Sequence, residues 1–518
     1  MELSSVTEDE VAEQLELLPR VTKKTTLGEL ESHLWAAANI LRGPIDQADF
    51  KSYIFPLLFY KRISDVYWEE FRQALDESGG DVQYARFAEN HRFQIPEHCH
   101  WKVVQRTPKN IGAKLVTVLR DIEKANPDTL YGIFGDAPWA NKERISDEVL
   151  RTLLEHFSSR PLTTESVEPD MLGQAYEYLI KKFADLSNKK AGEFYTPRSV
   201  VKLLVEILDP KEGETVYDPA CGTGGMLIEV VQHVLHNGGR PQRLYGKLFG
   251  QEKNLTTAGI ARMNLFIHGV EDFQIVRGDT LRSPVFFEGD TIAKFDCVIA
   301  NPPFSLKAWG EDLWANDPFG RKFAGVPPRS SADYAWVQHM MTSMAPRSGR
   351  VGVVLPQGAL FRTKSEGAIR RAVLETDKVE AVIGLAPNLF YGTGLAACIV
   401  IIRDRKPVNR RGRVLFIDAS DQFRRGRTQN TLEAEHVSRI LGWYRAYADI
   451  PGRSRVSDKA ELARNDYNLN IPLYVAPVSN GDVLSVAEAT ANLEAALADA
   501  GQAEDRLRTQ LKEWGLLS

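Results

Sequence analysis

Residues 216–225 read Val-Tyr-Asp-Pro-Ala-Cys-Gly-Thr-Gly-Gly, a short apolar strand that runs through a glycine-rich turn into a helical pattern extending to residue 236. Glycine allows the backbone to approach a ligand closely, and the amino terminus of a helix favours negative charge such as a carboxylate. The lysine of a nucleoside triphosphate loop does not follow the turn, which disfavours that ligand class. A glycine turn alone is equally consistent with a tight turn that needs glycine for purely steric reasons. Whether this turn binds a ligand has to be judged from the flanking sequence.

The sequence around this turn alternates short β-branched runs with helical windows. Candidate strands lie at 215–218, 244–252, 273–278, 295–300, 350–356, 379–385, 397–403 and 414–418. Such alternation is typical of an α/β, doubly wound, mostly parallel sheet that is covered on both faces. We therefore predict an α/β catalytic domain over residues 166–420.

The two flanks of this domain have a different pattern. Residues 1–25 are polar and acidic, and we expect them to be disordered. Residues 26–165 repeat apolar side chains at three- and four-residue steps, which predicts an N-terminal helical domain. Residues 421–518 predict a C-terminal helical region for subunit assembly, with one proline-free helical window at 483–514. The apolar stripe of that window is formed by Val486, Leu493, Ala496, Leu497, Leu507, Leu511 and Trp514.

Composition and charge narrow the class of protein. The chain has 518 residues, 43% of them hydrophobic and 26% charged, which is ordinary for a globular protein of more than one domain. Four scattered cysteines indicate a reducing, cytoplasmic setting, and no apolar run is long enough to span a membrane. Because the net charge is −5, affinity for nucleic acid is expected to be local or shared with a basic partner.

Acidic residues end the next two candidate strands of the sheet. Glu252 closes the strand after the glycine turn, and Asp279 follows the third strand. The carboxyl ends of parallel strands meet at one edge, where an acid can hold ribose hydroxyls. A single acid at a strand end is often merely solvated, but these two beside Asp218 favour a pocket for an adenosine-type ligand.

A second decisive segment, Asn301-Pro302-Pro303-Phe304, follows the apolar strand at 298–300. The prolines stiffen the backbone and remove two amide donors, leaving carbonyl oxygens that only accept hydrogen bonds. The Asn301 side-chain oxygen and the Pro302 carbonyl can both accept from a primary amine, while Phe304 can stack on a base. A turn that merely ends the strand is the competing interpretation, and the upstream acids argue against it.

These two segments, together with Gly-Glu-Phe-Tyr-Thr-Pro at 192–197, resemble the motifs of amino-group DNA methyltransferases. The resemblance implies a seven-stranded methyltransferase sheet with S-adenosyl-L-methionine as cofactor. It places Asp218 and Gly222 at the methionine part, Glu252 at the ribose and Asp279 at the adenine. The cofactor-binding set that it implies is Glu193, Phe194, Tyr195, Thr196, Asp218, Pro219, Gly222, Thr223, Gly224, Glu252 and Asp279. The catalytic set is Asn301, Pro302, Pro303 and Phe304, which would hold a flipped adenine for direct methyl transfer to N6.

Segments outside the catalytic domain extend the resemblance. Residues 30–35 and 57–65 are similar to the helical domain of modification subunits of type I restriction-modification systems, and residues 390–393 and 467–469 to their later parts. The resemblance implies a site-specific DNA adenine-N6 methyltransferase. Its implied partners are DNA, a specificity subunit, a second copy of the chain and a restriction or translocase subunit.

Other interpretations remain open from the sequence. Asn-Pro-Pro-aromatic turns also serve methyltransferases of RNA or of release-factor glutamine, and a catalytically dead scaffold could keep the same fold. We predict no metal site, since His98-Cys99-His100 has no second ligand group at useful spacing. Residues 305–330, rich in tryptophan and basic residues, are expected to be a lid over an extruded nucleotide or else a disordered insertion.

Overall fold

The computed structural model describes residues 24–186, 196–390, 394–427, 429–476 and 486–514. The predicted disordered lead-in therefore lies outside the described residues, apart from its last two positions. Glu193, Phe194 and Tyr195 of the predicted cofactor set, and residues 391–393, also lie outside them.

Helices dominate the N-terminal part of the chain. They are α1 (Leu27–Ile40), α2 (Phe50–Glu77), α3 (Val82–Ala85), α4 (Trp101–Gln105), α5 (Ile111–Ala125), α6 (Pro127–Leu130), α7 (Asp147–Ser158) and α8 (Pro169–Leu186). Helix α1 begins with a capping box, in which the Thr26 side chain accepts from the Glu29 amide and the Glu29 carboxylate accepts from the Thr26 amide. The apolar faces of these helices form one core, as the spacing predicts.

The helical core continues past the predicted boundary at residue 165. Leu172, Tyr176 and Leu179 of α8 are fully buried in it, although the sequence division assigned them to the catalytic domain. Helix α8 therefore packs across this boundary, and the domain division itself stays a prediction.

The rest of the chain builds one large sheet with helices on its faces. In chain order the elements are α9 (Arg198–Leu208), β1 (Val216–Asp218), α10 (Gly225–His236), β2 (Leu248–Glu252), α11 (Leu255–Ile267), β3 (Gln274–Arg277), β4 (Phe287–Glu288), β5 (Thr291–Ile292), β6 (Cys297–Ala300), α12 (Glu311–Ala315), α13 (Asp333–Thr342), β7 (Arg350–Pro356), α14 (Ser365–Glu375), β8 (Val379–Leu385), β9 (Ala397–Arg403), β10 (Arg413–Ala419), α15 (Ala434–Ala446), β11 (Ser454–Asp458), α16 (Lys459–Arg464) and α17 (Val486–Glu513). Strands β4 and β5 form a separate two-stranded hairpin.

The sheet has the order β11-β10-β8-β9-β7-β6-β1-β2-β3. All neighbours pair in parallel except those of β9, which runs antiparallel to β7 and β8, and β11, which runs antiparallel to β10. Helices α9, α10 and α15 pack on one face and α13 and α14 on the other. The predicted α/β, doubly wound, mostly parallel fold is confirmed.

The sheet has nine strands, compared with the eight candidate strands in the sequence and the seven that the resemblance implied. Strand β11 lies within the predicted helical region at 421–518 and adds an edge strand to β10, so the sheet crosses the predicted boundary at residue 420. The sequence gives little sign of this strand because its two buried residues, Ser454 and Ser457, are polar and do not alternate with period two.

The last helix, α17, stands apart from this core. Every described residue from 486 to 514 is exposed except Leu511, which is half-buried. Among the described residues, no helix is both long enough and apolar enough to cross a membrane.

Candidate functional site

A cavity of about 840 Å³ opens at the carboxyl edge of β1, β2, β3 and β6. Its volume lies in the range of small-molecule and cofactor sites. Its wall contains nine of the described residues that the sequence predicts for the site, namely Thr196, Asp218, Pro219, Gly222, Thr223, Glu252, Asp279, Asn301 and Pro303. Parallel strands that end at one edge therefore bring together residues that are as far apart as 196 and 301.

The glycine turn after β1 is held against the end of β2. The Gly222 amide donates to Oε2 of Glu252 at 3.1 Å, and the Asn254 amide donates to Oε1 of the same carboxylate at 2.8 Å. Gly222 and Gly224 have φ of 52° and 81°, a backbone region that side chains with a Cβ rarely adopt. Glycine is therefore required here by the turn, and the turn leaves the start of α10 facing the cavity.

Asp218 is a buried acid in the cavity wall. It is 2% exposed, and its Oδ1 accepts from the Ala220 amide at 3.0 Å. Burial raises the pKa of Asp218 to about 8; the amide hydrogen bond acts in the opposite direction, and the negative charge of Glu252 raises the pKa further. A cationic ligand group near this carboxyl would favour its ionised form.

This raised pKa makes a prediction about the unliganded protein. In the folded chain Asp218 keeps its proton up to about pH 8, whereas in the unfolded chain it loses it near its ordinary value, so folding stability falls as pH rises between about 4 and 8. Asp218→Asn keeps an oxygen for the Ala220 amide and removes the titration. We expect the thermal midpoint of the wild type to fall relative to that of Asp218→Asn from pH 5 to pH 8, measured by differential scanning fluorimetry. A difference that stays constant over this range would contradict the assignment.

Asn301 has a fixed orientation at the end of β6. Its Nδ2 donates to Oγ1 of Thr196 at 2.8 Å, and its Oδ1 is buried with no hydrogen-bond partner in the described structure. A buried acceptor without a partner costs free energy unless a ligand supplies a donor. The arrangement is therefore suited to an incoming N–H group.

The other members of the Asn-Pro-Pro-Phe segment have different surroundings. Pro303 lines the cavity, whereas Pro302 is buried outside its wall. Phe304 also lies outside the wall and packs at a centroid distance of 5.7 Å, nearly edge-on, against Phe390. Gly224, the residue before α10, is likewise absent from the wall.

Asp279 lies in the wall with cations around it. Its Oδ2 is 2.9 Å from Nζ of Lys253 and 3.8 Å from Nε of Arg282. The neighbouring Thr280 hydroxyl donates to the Pro219 carbonyl at 2.6 Å, which ties the end of β3 to the glycine turn. The third strand end thus belongs to the same site as the first two.

Several residues of the cavity wall were not predicted from the sequence. Asn264 and Gln251 are fully buried, and each has a side-chain oxygen without a partner in the described structure. The helical domain adds Phe55 and Glu177, and burial raises the pKa of Glu177 to about 7. An asparagine within the apolar stretch Met263–Ile267 of α11 was a signal available in sequence, but the contribution of α2 and α8 depends on tertiary packing.

Residues 305–330 are neither a disordered insertion nor an open lid in this structure. Trp309 and Trp314 are 2% and 1% exposed and pack with Trp336. The guanidinium of Arg321 lies 4.5 Å from the Trp314 ring centroid and pairs with Asp317. Both tryptophan rings are covered by protein in this conformation, and the role of residues 305–330 toward an extruded nucleotide stays a prediction.

The histidine-cysteine cluster at 98–100 gains an acid in three dimensions. His98 Nε2 is 3.0 Å from Oδ2 of Asp121, and ligand atoms of these two residues and Cys99 lie within 4.8 Å of one another. Burial raises the pKa of the Cys99 thiol to about 12, and a protonated thiol is a poor metal ligand. The absence of a metal site stays a prediction.

The geometry defines the class of the protein. A parallel sheet with a glycine turn after β1, an acid at the end of β2 and Asn-Pro-Pro-Phe after β6 is the arrangement of an amino-group methyltransferase. The model of the N-6 DNA Methylase family matches residues 167–482, and that of the HsdM N-terminal domain matches residues 30–157. The chain belongs to the N-6 DNA methylase family, as its motifs predict.

Individual relatives agree with this family. The chain is 34% identical over 477 residues to the type I restriction enzyme MjaVII methylase subunit of Methanocaldococcus jannaschii, covering 88% of this chain and 79% of the relative. It is 32% identical to the HindI methylase subunit of Haemophilus influenzae, covering 71% and 85%. A crystal structure of a type I restriction-modification methyltransferase subunit from Streptococcus thermophilus has a TM-score of 0.76 and 31% identity, covering 87% of this chain and 100% of that one.

Proposed function

We propose that this chain is the modification subunit of a type I restriction-modification system, which transfers a methyl group from S-adenosyl-L-methionine to N6 of a flipped adenine in DNA. The observation that carries the proposal is Asn301, whose amide is fixed by Thr196 and whose buried oxygen lacks a donor at the edge of the cavity. The family and the names of its relatives support the same conclusion.

The residues of the cavity fit the proposed cofactor. Its α-ammonium and sulfonium carry positive charge, and the wall offers the carboxyls of Asp218 and Glu252. Its adenine and ribose offer donors, and Gln251 and Asn264 have buried oxygens that lack them. We assign Asp218, Pro219, Gly222 and Thr223 to the methionine part, Glu252 to the ribose and Asp279 to the adenine. Glu193, Phe194, Tyr195, Thr196 and Gly224 complete the proposed set.

The chemistry divides between the cofactor and the chain. The bound cofactor supplies an electrophilic methyl group on a positively charged sulfur. The Asn301 oxygen and the Pro302 carbonyl accept hydrogen bonds from the adenine amino group and direct the nitrogen lone pair, and Phe304 stacks on the base. Because Phe304 packs against Phe390, stacking of the base requires one face of the Phe304 ring to be accessible beside that contact. Positioning and polarisation supply most of the rate enhancement, and no covalent enzyme intermediate is needed.

We keep the division into a helical domain at 26–165, a catalytic domain at 166–420 and an assembly region at 421–518 as a proposal, with α8 packed across the first boundary and β11 paired across the second. The proposed partners are a specificity subunit, a second copy of this chain and a restriction or translocase subunit, because the relatives are named subunits of type I restriction enzymes. A specificity subunit would supply the base readout and the basic surface that a chain of net charge −5 lacks. We place the complex in the cytoplasm, since the four cysteines are buried and unpaired.

Mass spectrometry of nucleosides tests the proposal against its alternatives. The chain, alone and co-expressed with a candidate specificity subunit, is incubated with cofactor and with DNA, ribosomal RNA or a release factor. We expect N6-methyladenine in DNA alone, and isothermal titration calorimetry should detect binding of S-adenosyl-L-homocysteine. Methylation of RNA or glutamine would contradict the substrate assignment. Cofactor binding without any methyl transfer would favour the catalytically dead scaffold.

A further inference from the structure

A basic hairpin follows β10 at the same sheet edge as the cavity. Residues 422–431 read Gln-Phe-Arg-Arg-Gly-Arg-Thr-Gln-Asn-Thr, with three arginines and no acid. The hairpin is closed by an antiparallel bridge, in which the Arg424 amide donates to the Thr431 carbonyl at 2.8 Å and the Thr431 amide donates back at 3.0 Å. At its tip a Cβ on Gly426 would lie 1.9 Å from the Gln429 carbonyl oxygen, so the turn needs glycine.

The arginines of this hairpin differ in their partners. Two acids, Asp421 and Glu433, flank the segment. Glu433 pairs with Arg424, and Asp421 pairs with Arg453. Arg425 and Arg427 are exposed, and neither guanidinium has an ion-pair partner among the described residues. In a chain with a net charge of −5, these two arginines, separated by Gly426, make a local positive patch.

The hairpin is attached to the segment that contacts the catalytic turn. The Asn430 amide donates to the Asn388 carbonyl at 2.9 Å, and the Asn430 side chain donates to the Pro387 carbonyl at 2.9 Å. The Gln429 side chain donates to the Leu389 carbonyl. The next residue along, Phe390, packs on Phe304 of the Asn-Pro-Pro-Phe segment. The hairpin therefore has a fixed position relative to the proposed base site.

The distance between the two sites follows from the sheet. Three strands, β7, β9 and β8, lie between β6 and β10. Neighbouring strands are about 4.8 Å apart, which places the hairpin roughly 19 Å from the end of β6 along the sheet edge. At about 3.4 Å per base pair, this span corresponds to about six base pairs of duplex. None of the described hairpin residues lines the cavity, so the hairpin lies beside the proposed base site and is placed for the backbone that flanks the flipped base.

We propose that Arg425 and Arg427 form a phosphate-binding site for the DNA duplex beside the target adenine. Guanidinium groups match phosphate oxygens in charge and geometry, and each phosphate contact releases counterions from the DNA. The contact is independent of base sequence and holds the duplex in register while the adenine enters the cavity. This inference rests on the proposed function, since it takes the substrate to be DNA.

The salt dependence of DNA binding tests this site. A fluorescent duplex with one mismatched adenine, which is easier to extrude, is titrated with the full chain between 50 and 200 mM salt, and anisotropy is recorded. For Arg425→Ala/Arg427→Ala we expect affinity to fall at least about tenfold and the slope of log K against log salt to fall by about two. The matched control is Arg405→Ala, an exposed arginine after β9 at the opposite edge of the sheet, which should change neither quantity.

Other results would overturn the inference in distinguishable ways. Wild-type affinity and slope in the double variant would remove the hairpin from the DNA surface. Retained DNA affinity with lost co-purification of the specificity subunit would make the patch a protein interface instead. If the wild type binds S-adenosyl-L-homocysteine but no DNA at 50 mM salt, the DNA substrate of the proposed function fails, and the phosphate site fails with it.

Discussion

Asn301→Ala is expected to lower the rate of methyl transfer by at least about 100-fold while leaving the affinity for S-adenosyl-L-homocysteine within a factor of about two. The size of the loss follows from the removal of one fixed polar group that acts on the reacting atom, which typically costs a factor of about 100 to 1,000 in rate. Cofactor affinity is expected to persist because Glu252 holds the glycine turn through the Gly222 and Asn254 amides, and Asn301 takes no part in those hydrogen bonds.

A second variant separates orientation from chemistry. Thr196→Ala removes only the acceptor that holds the Asn301 amide nitrogen at 2.8 Å, so the asparagine oxygen remains but can rotate away. We expect a smaller loss in Thr196→Ala than in Asn301→Ala. Asn316→Ala, an exposed asparagine, is the matched control and should keep wild-type activity. The rates are measured by single-turnover transfer of tritiated methyl groups to DNA. Wild-type transfer by Asn301→Ala would refute the assignment.

The strand-end positions of the site could be predicted from the sequence for a simple reason. In a parallel sheet every strand presents its carboxyl end to the same edge, so a residue that directly follows a recognisable strand has a known location. Asp218, Glu252, Asp279 and Asn301 meet this condition, and all four line the cavity. Strand boundaries and the parallel direction of the strands are enough to locate these four residues.

Features that depend on packing between distant segments could not be predicted in this way. The Asn301–Thr196 hydrogen bond joins residues 105 positions apart, and no local pattern specifies it. The cavity wall from the helical domain requires the docking of α8 on α11, which the sequence does not encode as a motif. The packing of residues 305–330 could not be predicted either, because tryptophan and arginine serve equally well in a compact cluster and on a nucleotide surface.

Deletion of residues 483–518 is expected to abolish assembly with the specificity subunit while leaving cofactor binding intact. Helix α17 covers most of the deleted segment, and none of its residues lines the cavity. Leu493, Leu497 and Trp514 are 60%, 63% and 68% exposed, so the apolar stripe does not pack on the described part of its own chain. The sequence left open whether this stripe packs internally or on a partner, and its exposure favours the partner.

An apolar stripe of this kind costs free energy while it is exposed to water, which favours a partner that covers it. Large apolar side chains that recur at helical spacing on one face stabilise a complex when a second helix covers them. Co-expression of the truncated chain with the specificity subunit, followed by co-purification and light scattering, measures the assembly. Leu493→Ser/Leu497→Ser should weaken assembly in the full-length chain, whereas Glu494→Gln/Asp499→Asn changes exposed polar positions of the same helix and should not. If the truncated chain still assembles at the wild-type mass, α17 is not the interface. Site-specific methylation by the isolated chain would show that no specificity partner is needed.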